Sequence, residues 1–289
     1  MAVIRYADDL VLLCDDLPTL EVARACLEAW LADMGLRLKA DKTHITHTLR
    51  EHEGPVGFDF LGFYVRNYRV GKYRTAAYRG EPGMKTIIKP SPRALKRHIM
   101  HLHTLVHQYR GAPQIGLIET LNPVIRGWTN YYRTSVAKRT FALADKHLYS
   151  QLRSWARWRH PKKTSGWQYR RYWRRQMHQE VFGDGVNTLA KHDATSILRH
   201  VKVRGNKTPY DGDWVYWGQR LQHDPTKPQW LLRLLKIQHC RCEVCGLRFM
   251  AEDVLEEHHR DGNLANRRLS NRVLLHSHCH DQFHAALYL

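Results

Sequence analysis

The last fifty residues constrain this chain most, because they gather cysteine and histidine at the spacing of metal ligands. Cys242 and Cys245 are separated by two residues, and His276 and Cys279 repeat that spacing further along the chain. Such a set supplies the four soft or borderline ligands that tetrahedral Zn²⁺ prefers. The sequence therefore predicts a structural zinc site near the C-terminus.

Two other interpretations of these cysteines remain open beside the zinc site. Cys240 could replace Cys242 as a zinc ligand. Gly246, directly after Cys245, permits the tight turn that favours Cys242 together with Cys245. Buried free thiols or a disulfide are the other alternative. The remaining cysteines, Cys14 and Cys26, lie far away in the sequence and show no matching pattern, which favours a metal site.

A second metal site is predicted from histidines in the same stretch. His280 and His284 are four residues apart, so a helix would place both imidazoles on one face. They could join His258 as ligands of a divalent ion, which leaves the neighbouring His259 free to act as a general base. Hydrolysis of a phosphodiester needs both such an ion and such a base.

These residues resemble the HNH, or ββα-metal, endonuclease family, with His259, Asn271 and His280 as the His, Asn and His of its name. The resemblance implies that His259 is the general base and that Asn271 holds the loop or the base in place. It also implies that the three histidines of the second site bind Mg²⁺ or Mn²⁺. Where many relatives close the zinc site with a fourth cysteine, this chain has His276.

The charge of the chain predicts a polyanionic partner. Its 289 residues include 46 Lys or Arg against 27 Asp or Glu, a net charge of +19. Between Tyr149 and Arg175 there are nine basic residues, seven Trp or Tyr and no acid. Basic groups contact phosphates, while the rings stack on bases or pack in the core. The predicted nucleic-acid contacts are Arg153, Arg157, Lys162, Lys163, Arg170 and Arg171.

The chain lacks an apolar run long enough to cross a bilayer, and its first residues include charged side chains where a signal peptide would be apolar. We therefore expect no membrane association and a cytoplasmic location of bacterial type, in contact with nucleoid or ribonucleoprotein. In that compartment paired cysteines suggest metal rather than disulfides.

The N-terminus predicts a β-hairpin, because two apolar runs flank Tyr6-Ala7-Asp8-Asp9. Paired aspartates usually only form the turn, but rigid strands could also hold Asp8 and Asp9 for two-metal phosphoryl transfer. A helical pattern then runs from Thr19, the expected N-cap, to Gly35. Strand-like segments follow at residues 36–38 and 58–65.

In order, these pieces resemble the second half of a reverse transcriptase palm. Asp8 and Asp9 match the metal-binding hairpin of that family, and Phe60-Leu61-Gly62-Phe63 resembles its primer grip. Such polymerases need a further aspartate from an earlier palm strand, together with fingers. Since the chain begins just before the hairpin, we expect RNA-directed DNA polymerase activity only with a separately encoded N-terminal fragment.

The middle of the chain predicts helices. Ser91-Pro92 would cap a first helix, and residues 121–133 form a mixed apolar and polar helical face. The sequence of residues 121–133 and 152–163 closely resembles that of the maturase (thumb, or X) domain of group II intron-encoded proteins. That resemblance implies binding of intron RNA and assistance to ribozyme folding for splicing.

Residues 183–235 are less informative. They contain residues typical of turns. They also contain Asp213-Trp214-Val215-Tyr216-Trp217, which is a candidate for a short aromatic strand or for a platform on which bases stack. Their position between the maturase-like and endonuclease-like stretches corresponds to the DNA-binding region of the resembled family.

Together these features predict a multidomain α+β protein. Its expected parts are a partial palm (1–70), a connector (71–90), a mainly helical maturase domain (91–182), a DNA-binding region (183–235) and an HNH domain with a zinc knuckle (236–289). The leading hypothesis is a truncated or split group II intron-encoded protein that binds intron RNA and nicks target DNA. The alternatives are a non-catalytic RNA-binding splicing factor and half of a two-chain reverse transcriptase.

Overall fold

The computed structural model describes residues 1–70, 83–176, 179–205, 207–208 and 211–285. The chain divides into two compact units, Met1–Ile197 and Leu198–Leu289, which are treated separately below. Across these described ranges, no helix combines the length and the apolar character needed to span a membrane.

The first unit begins with the predicted hairpin. Strands β1 (Ala2–Tyr6) and β2 (Asp9–Leu13) pair antiparallel and are followed by helix α1 (Leu17–Asp33). The expectation that Thr19 caps α1 is wrong, because the Asp16 carboxylate accepts hydrogen bonds from the Thr19 amide and hydroxyl. Asp16 is the better N-cap because its side chain satisfies an amide of the first turn. Pro18 fits in that turn because the amide hydrogen that proline lacks would have no partner within the helix.

A three-stranded antiparallel sheet follows, formed by β3 (Phe58–Phe60), β4 (Phe63–Arg69) and β5 (Met84–Pro90) in the order β3-β4-β5. The single strand expected at residues 58–65 is two strands, since Leu61 and Gly62 turn the chain with φ of 49° and 79°. Residues 36–38 form no strand. Of the expected connector, 71–82 lies outside the described residues, and the rest includes β5.

Four helices build the core of the first unit: α2 (Pro92–Gln108), α3 (Gln114–Tyr132), α4 (Lys138–Arg159) and α5 (Ser165–Tyr172). The Ser91 hydroxyl accepts a hydrogen bond from the Ala94 amide, so the predicted cap of α2 is confirmed. The apolar face of α3 is buried while its polar edge is exposed, as its sequence indicated. A short hairpin, β6 (Trp173–Gln176) and β7 (Gln179–Phe182), closes the core. The largest buried side chains of this core include Leu102, Leu117, Leu121, Ile125 and Trp155.

The second unit contains α6 (Trp214–Arg220), α7 (Gln229–Ile237), the antiparallel strands β8 (Leu255–His259) and β9 (Arg272–His276), and α8 (Ser277–Ala285). The strand alternative for residues 213–217 is wrong. The Asp213 carboxylate accepts a hydrogen bond from the Tyr216 amide and caps a helix there instead. Leu234, Leu235, Phe249 and Leu274 form the centre of a core beneath β9.

Candidate metal centres and nucleic-acid surface

The four residues of the predicted zinc site lie together in the second unit. Cys242, Cys245, His276 and Cys279 each offer a ligand atom, and all four atoms lie within 4.8 Å of one another. Cys245 Sγ is 3.3 Å from His276 Nδ1. Gly246, with φ of 71°, donates its amide to the Cys242 carbonyl and closes the turn between the two sulfurs. The donor set and its spacing fit a tetrahedral zinc ion.

Electrostatics at this cluster also favours a cation. Burial raises the pKa of the Cys242 thiol, but hydrogen bonds from backbone amides, that of Cys245 foremost, outweigh it and lower the pKa to about 7. Burial and the two neighbouring thiols raise the pKa of Cys279 to about 12. Several thiolates can therefore share this space only if a positive charge lies among them.

Asp253 supports the cluster from outside. Its Oδ2 lies 3.2 Å from His276 Nε2, on the ring nitrogen opposite the sulfurs. A carboxylate at that position fixes the tautomer of a ligating histidine and directs Nδ1 toward the ion. The spacing of cysteine and histidine gave no indication of this aspartate.

The rival cysteine register does not reach the cluster. Cys240 is 1% exposed and packs in the core, where burial raises the pKa of its thiol. The group of ligand atoms includes Cys242 and not Cys240. All six cysteines of the chain are free thiols, so the disulfide alternative is absent from the structure.

The three predicted histidine ligands form a second cluster between β8 and α8. His258, His280 and His284 each place a ring nitrogen within 4.8 Å of the others, and the Nε2 atoms of His280 and His284 are 3.1 Å apart. Burial lowers the pKa of His258, and the neighbouring imidazoles lower it further. A neutral imidazole is the form that binds a metal.

Glu256 is a further group at this cluster that the sequence analysis missed. Its Oε2 lies 2.7 Å from His280 Nδ1, which leaves Nε2 of that ring free for an ion. Glu256, His280 and Asp281 also form an overlapping set of possible ligands. Glu256 stands two residues before His258 on β8, so strand alternation puts both on one face.

The predicted base does not join the histidine cluster. His259 follows His258 directly on β8, and its ring lies beside Glu257, with Nε2 3.3 Å from Oε1. Successive side chains of a strand point to opposite faces, which accounts for the separation. Within the described ranges, neither ring nitrogen of His259 makes a hydrogen bond, although both are buried.

Asn271 holds the loop that joins β8 to β9. Its Oδ1 accepts a hydrogen bond from the Asp261 amide, and its Nδ2 donates to Asp261 Oδ1 and to the Asn266 carbonyl. The Asn271 carbonyl also accepts from the Arg260 amide. Of the two roles that the resemblance implied, these contacts favour holding the loop.

The hairpin aspartates belong to the first unit. Asp8 is in the turn and Asp9 begins β2, and both are exposed. Neither belongs to a set of three possible metal ligands in the part of the chain that the structure describes.

The basic stretch forms an exposed surface on α4, α5 and the turn between them. Arg153 differs from the other five because it is half-buried and donates a hydrogen bond to Ser165 Oγ. Its guanidinium lies 5.6 Å from the ring centroids of Tyr169 and Trp173, and Lys163 likewise lies 5.5 Å from that of Trp167. The aromatic residues divide between core and surface: Trp155, Tyr172 and Trp173 are buried, whereas Trp158 is 54% exposed. Five predicted contacts are exposed: Arg157, Lys162, Lys163, Arg170 and Arg171.

A shallow cleft between α2 and α4 was also missed. Its polar lining consists of His103, His107, Arg110, Ser150, Gln151 and Ser154. Arg110 stands over the ring of Trp158 at 5.6 Å, which joins the cleft to the exposed aromatic surface. Because its members come from two helices distant in sequence, no local pattern marks it.

Two family models match the chain. Residues 95–173 match the group II intron, maturase-specific domain, and residues 1–65 match the reverse transcriptase (RNA-dependent DNA polymerase) model. Both matches end before the Cys/His stretch. A search of curated proteins gave no match.

Proposed function

Because the chain belongs to the group II intron-encoded reverse transcriptase/maturase family, we propose that it couples RNA binding to DNA cleavage. The matched maturase domain implies binding of intron RNA and a role in splicing. The proposed addition is that the second unit nicks target DNA as a metal-dependent HNH endonuclease. That nick would leave a 3′ hydroxyl able to prime DNA synthesis.

One observation carries the endonuclease proposal, namely the three imidazoles of His258, His280 and His284 within ligand distance of one another. Three imidazole nitrogens that leave open positions fit a divalent ion that also contacts a phosphate. Such an ion, when bound, would neutralise charge on the scissile phosphate and the leaving oxygen. Glu256 supports this fit by occupying the other nitrogen of His280.

His259 is the proposed general base, and its ring would turn from the buried side of β8, beside Glu257, toward the histidine cluster to reach the water. It would take a proton from water as the water oxygen bonds to phosphorus and the bond from phosphorus to O3′ breaks. The O3′ atom takes up a proton from solvent, so the products are a 5′ phosphate and a 3′ hydroxyl. Asn271 would keep the adjoining loop in place through its bonds to Asp261 and Asn266.

A zinc ion at the four-residue cluster would have a structural role. His276 ends β9 and Cys279 lies in the first turn of α8, while Cys242 and Cys245 belong to a turn between α7 and β8. Ligation would therefore fix α8 against the strands and hold the second cluster in register. The four-residue cluster would thus be a structural site with four protein ligands, whereas the histidine cluster leaves coordination positions open.

The test is nicking of a supercoiled plasmid or a target duplex with Mg²⁺ or Mn²⁺. We expect the wild type to nick and His259→Ala to lose most of the activity, with His101→Ala, an exposed histidine of the first unit, as the matched control. If wild type leaves DNA uncut while RNA binding persists, the protein is a non-catalytic RNA-binding splicing factor. That outcome would remove the endonuclease from the proposal.

A further inference from the structure

Trp158 presents an exposed indole on a helix whose neighbouring tryptophan is buried. It lies near the end of α4 and is 54% exposed, whereas Trp155, three residues earlier, is 1% exposed and belongs to the core. The Arg110 guanidinium lies 5.6 Å from the Trp158 ring centroid. A cation at this distance is attracted to the face of the ring and restricts its orientation. Trp158 is therefore a flat aromatic surface that the core does not use.

The shallow cleft between α2 and α4 adjoins this indole, because Arg110 lines the cleft and also lies over the Trp158 ring. The volume of the cleft is about 190 Å³. Pockets that enclose a whole drug-sized ligand measure roughly 300–1,000 Å³, so this cleft has room for one small group only. His103 and His107 line it from α2 and Ser150 lines it from α4, and all three residues are exposed.

The chemistry of the lining favours a phosphate group. Among the described residues that line the cleft, none is acidic. Helix α2 contains no Asp or Glu, and the one carboxylate of α4, that of Asp145, accepts hydrogen bonds from the amide and the ring of His192. Imidazole N–H groups and a serine hydroxyl are hydrogen-bond donors that suit phosphate oxygens. The cleft therefore offers donors to an anion without a carboxylate that would repel it.

We propose that Trp158 and this cleft bind one unpaired nucleotide of the RNA, with its base stacked on the exposed indole and its phosphate beside His103 and His107. A base inside a regular duplex is stacked between its neighbours and offers no face to an indole, whereas a base in a loop or bulge does. The exposed basic residues of α4 and α5 contact the phosphates of either RNA, so they do not make this distinction. The inference rests on the RNA binding proposed above.

Binding of two RNA hairpins to the full-length chain tests this role. The RNAs share one sequence, but one is fully paired and the other carries a single bulged 2-aminopurine, whose fluorescence is quenched when it stacks on an aromatic ring. Wild type should bind the bulged RNA about 10- to 100-fold more tightly, the range that stacking of one base contributes, and its fluorescence should fall on binding. Trp158→Leu should bind both RNAs alike and leave the fluorescence unchanged, whereas Trp158→Phe should keep part of both effects.

Tyr149→Leu is the matched control on the same helix. Tyr149 is an exposed aromatic residue of α4, but its ring packs edge-on against Trp173. This variant should keep the wild-type preference for the bulged RNA. Replacement of both His103 and His107 by Ala tests the phosphate contact, and it should lower the affinity for the bulged RNA without changing that for the paired RNA.

Two results would overturn the inference while leaving RNA binding intact. One is equal affinity of wild type for the two RNAs. The other is a Trp158→Leu variant that keeps both the preference and the quenching. Because Trp158 is exposed, its replacement leaves the core unchanged, and the histidine variant supplies a second test that does not alter the indole. If wild type binds neither RNA, the proposed RNA binding itself fails, and the role of Trp158 fails with it.

Discussion

The salt dependence of RNA binding gives the most quantitative prediction for the first unit. Each phosphate contact releases counterions, so the logarithm of affinity falls linearly with the logarithm of salt, by about 0.7 per contact for a single strand and 0.9 for a duplex. The sequence predicts six basic residues that contact phosphates. In the structure five of these side chains are exposed, whereas Arg153 is occupied by Ser165, Tyr169 and Trp173.

Five contacts predict a slope of about −3.5 for single-stranded RNA and −4.5 for a helical one. Between 50 and 200 mM salt, affinity should then fall by about 10² to 10³-fold. The assay is equilibrium filter binding or fluorescence anisotropy with intron RNA at four or more salt concentrations. Lys162→Ala combined with Lys163→Ala should reduce the slope by about 1.4, because both side chains are exposed.

Arg153→Gln is the matched control in the same surface. Since Arg153 is tied to its neighbours, its loss should change the slope by far less than one contact. A slope near zero in wild type would refute the basic surface as the RNA site. If Arg153→Gln altered the slope as much as replacement of one lysine, the distinction between Arg153 and the five exposed side chains would be refuted.

Three further predictions follow from other parts of the molecule. Burial, with the neighbouring His192, lowers the pKa of His98 to about 3, so the unfolded chain binds more protons between pH 6.5 and 3 and stability falls as pH drops through that window. Urea unfolding at pH 5 should show a loss of about 2 kcal/mol relative to pH 7, absent from His98→Phe; a pH-independent midpoint would contradict this. Chelation, or Cys242→Ser, should release one zinc per chain and lower the melting temperature of the second unit, and unchanged metal content would exclude the site. The chain alone should give no primer extension, because Asp8 and Asp9 have no third carboxylate beside them among the described residues, and any extension restored by a palm-and-fingers fragment should vanish in Asp8→Ala.

Local sequence patterns predicted much of the fold because the physics behind them is local. The N-terminal hairpin follows from two apolar runs around a turn, and the start of α2 follows from Ser91 and Pro92. The grouping of possible metal ligands likewise follows from spacing, with two-residue separation in a turn and four-residue separation on a helix.

Predictions failed where a backbone conformation or a distant partner decided the structure. Residues 58–65 have the pattern of one strand, but left-handed φ at Leu61 and Gly62 makes two. Residues 213–217 have aromatic strand character, yet the Asp213 carboxylate satisfies a helix N-terminus there. Strand β5 exists because β4 pairs with it across a long separation, which no local composition reveals.

The sequence by itself thus determined which side chains can pair at an ion, since chain spacing alone limits the distance from Cys242 to Cys245 and that from His280 to His284. Only the tertiary structure decided what supports them. The register of β8 on β9 and the packing of α8 bring Glu256 to His280, and put Glu257 between Arg272 and His259. Such contacts depend on strand faces and pairing, which are properties of the folded chain and not of residue order.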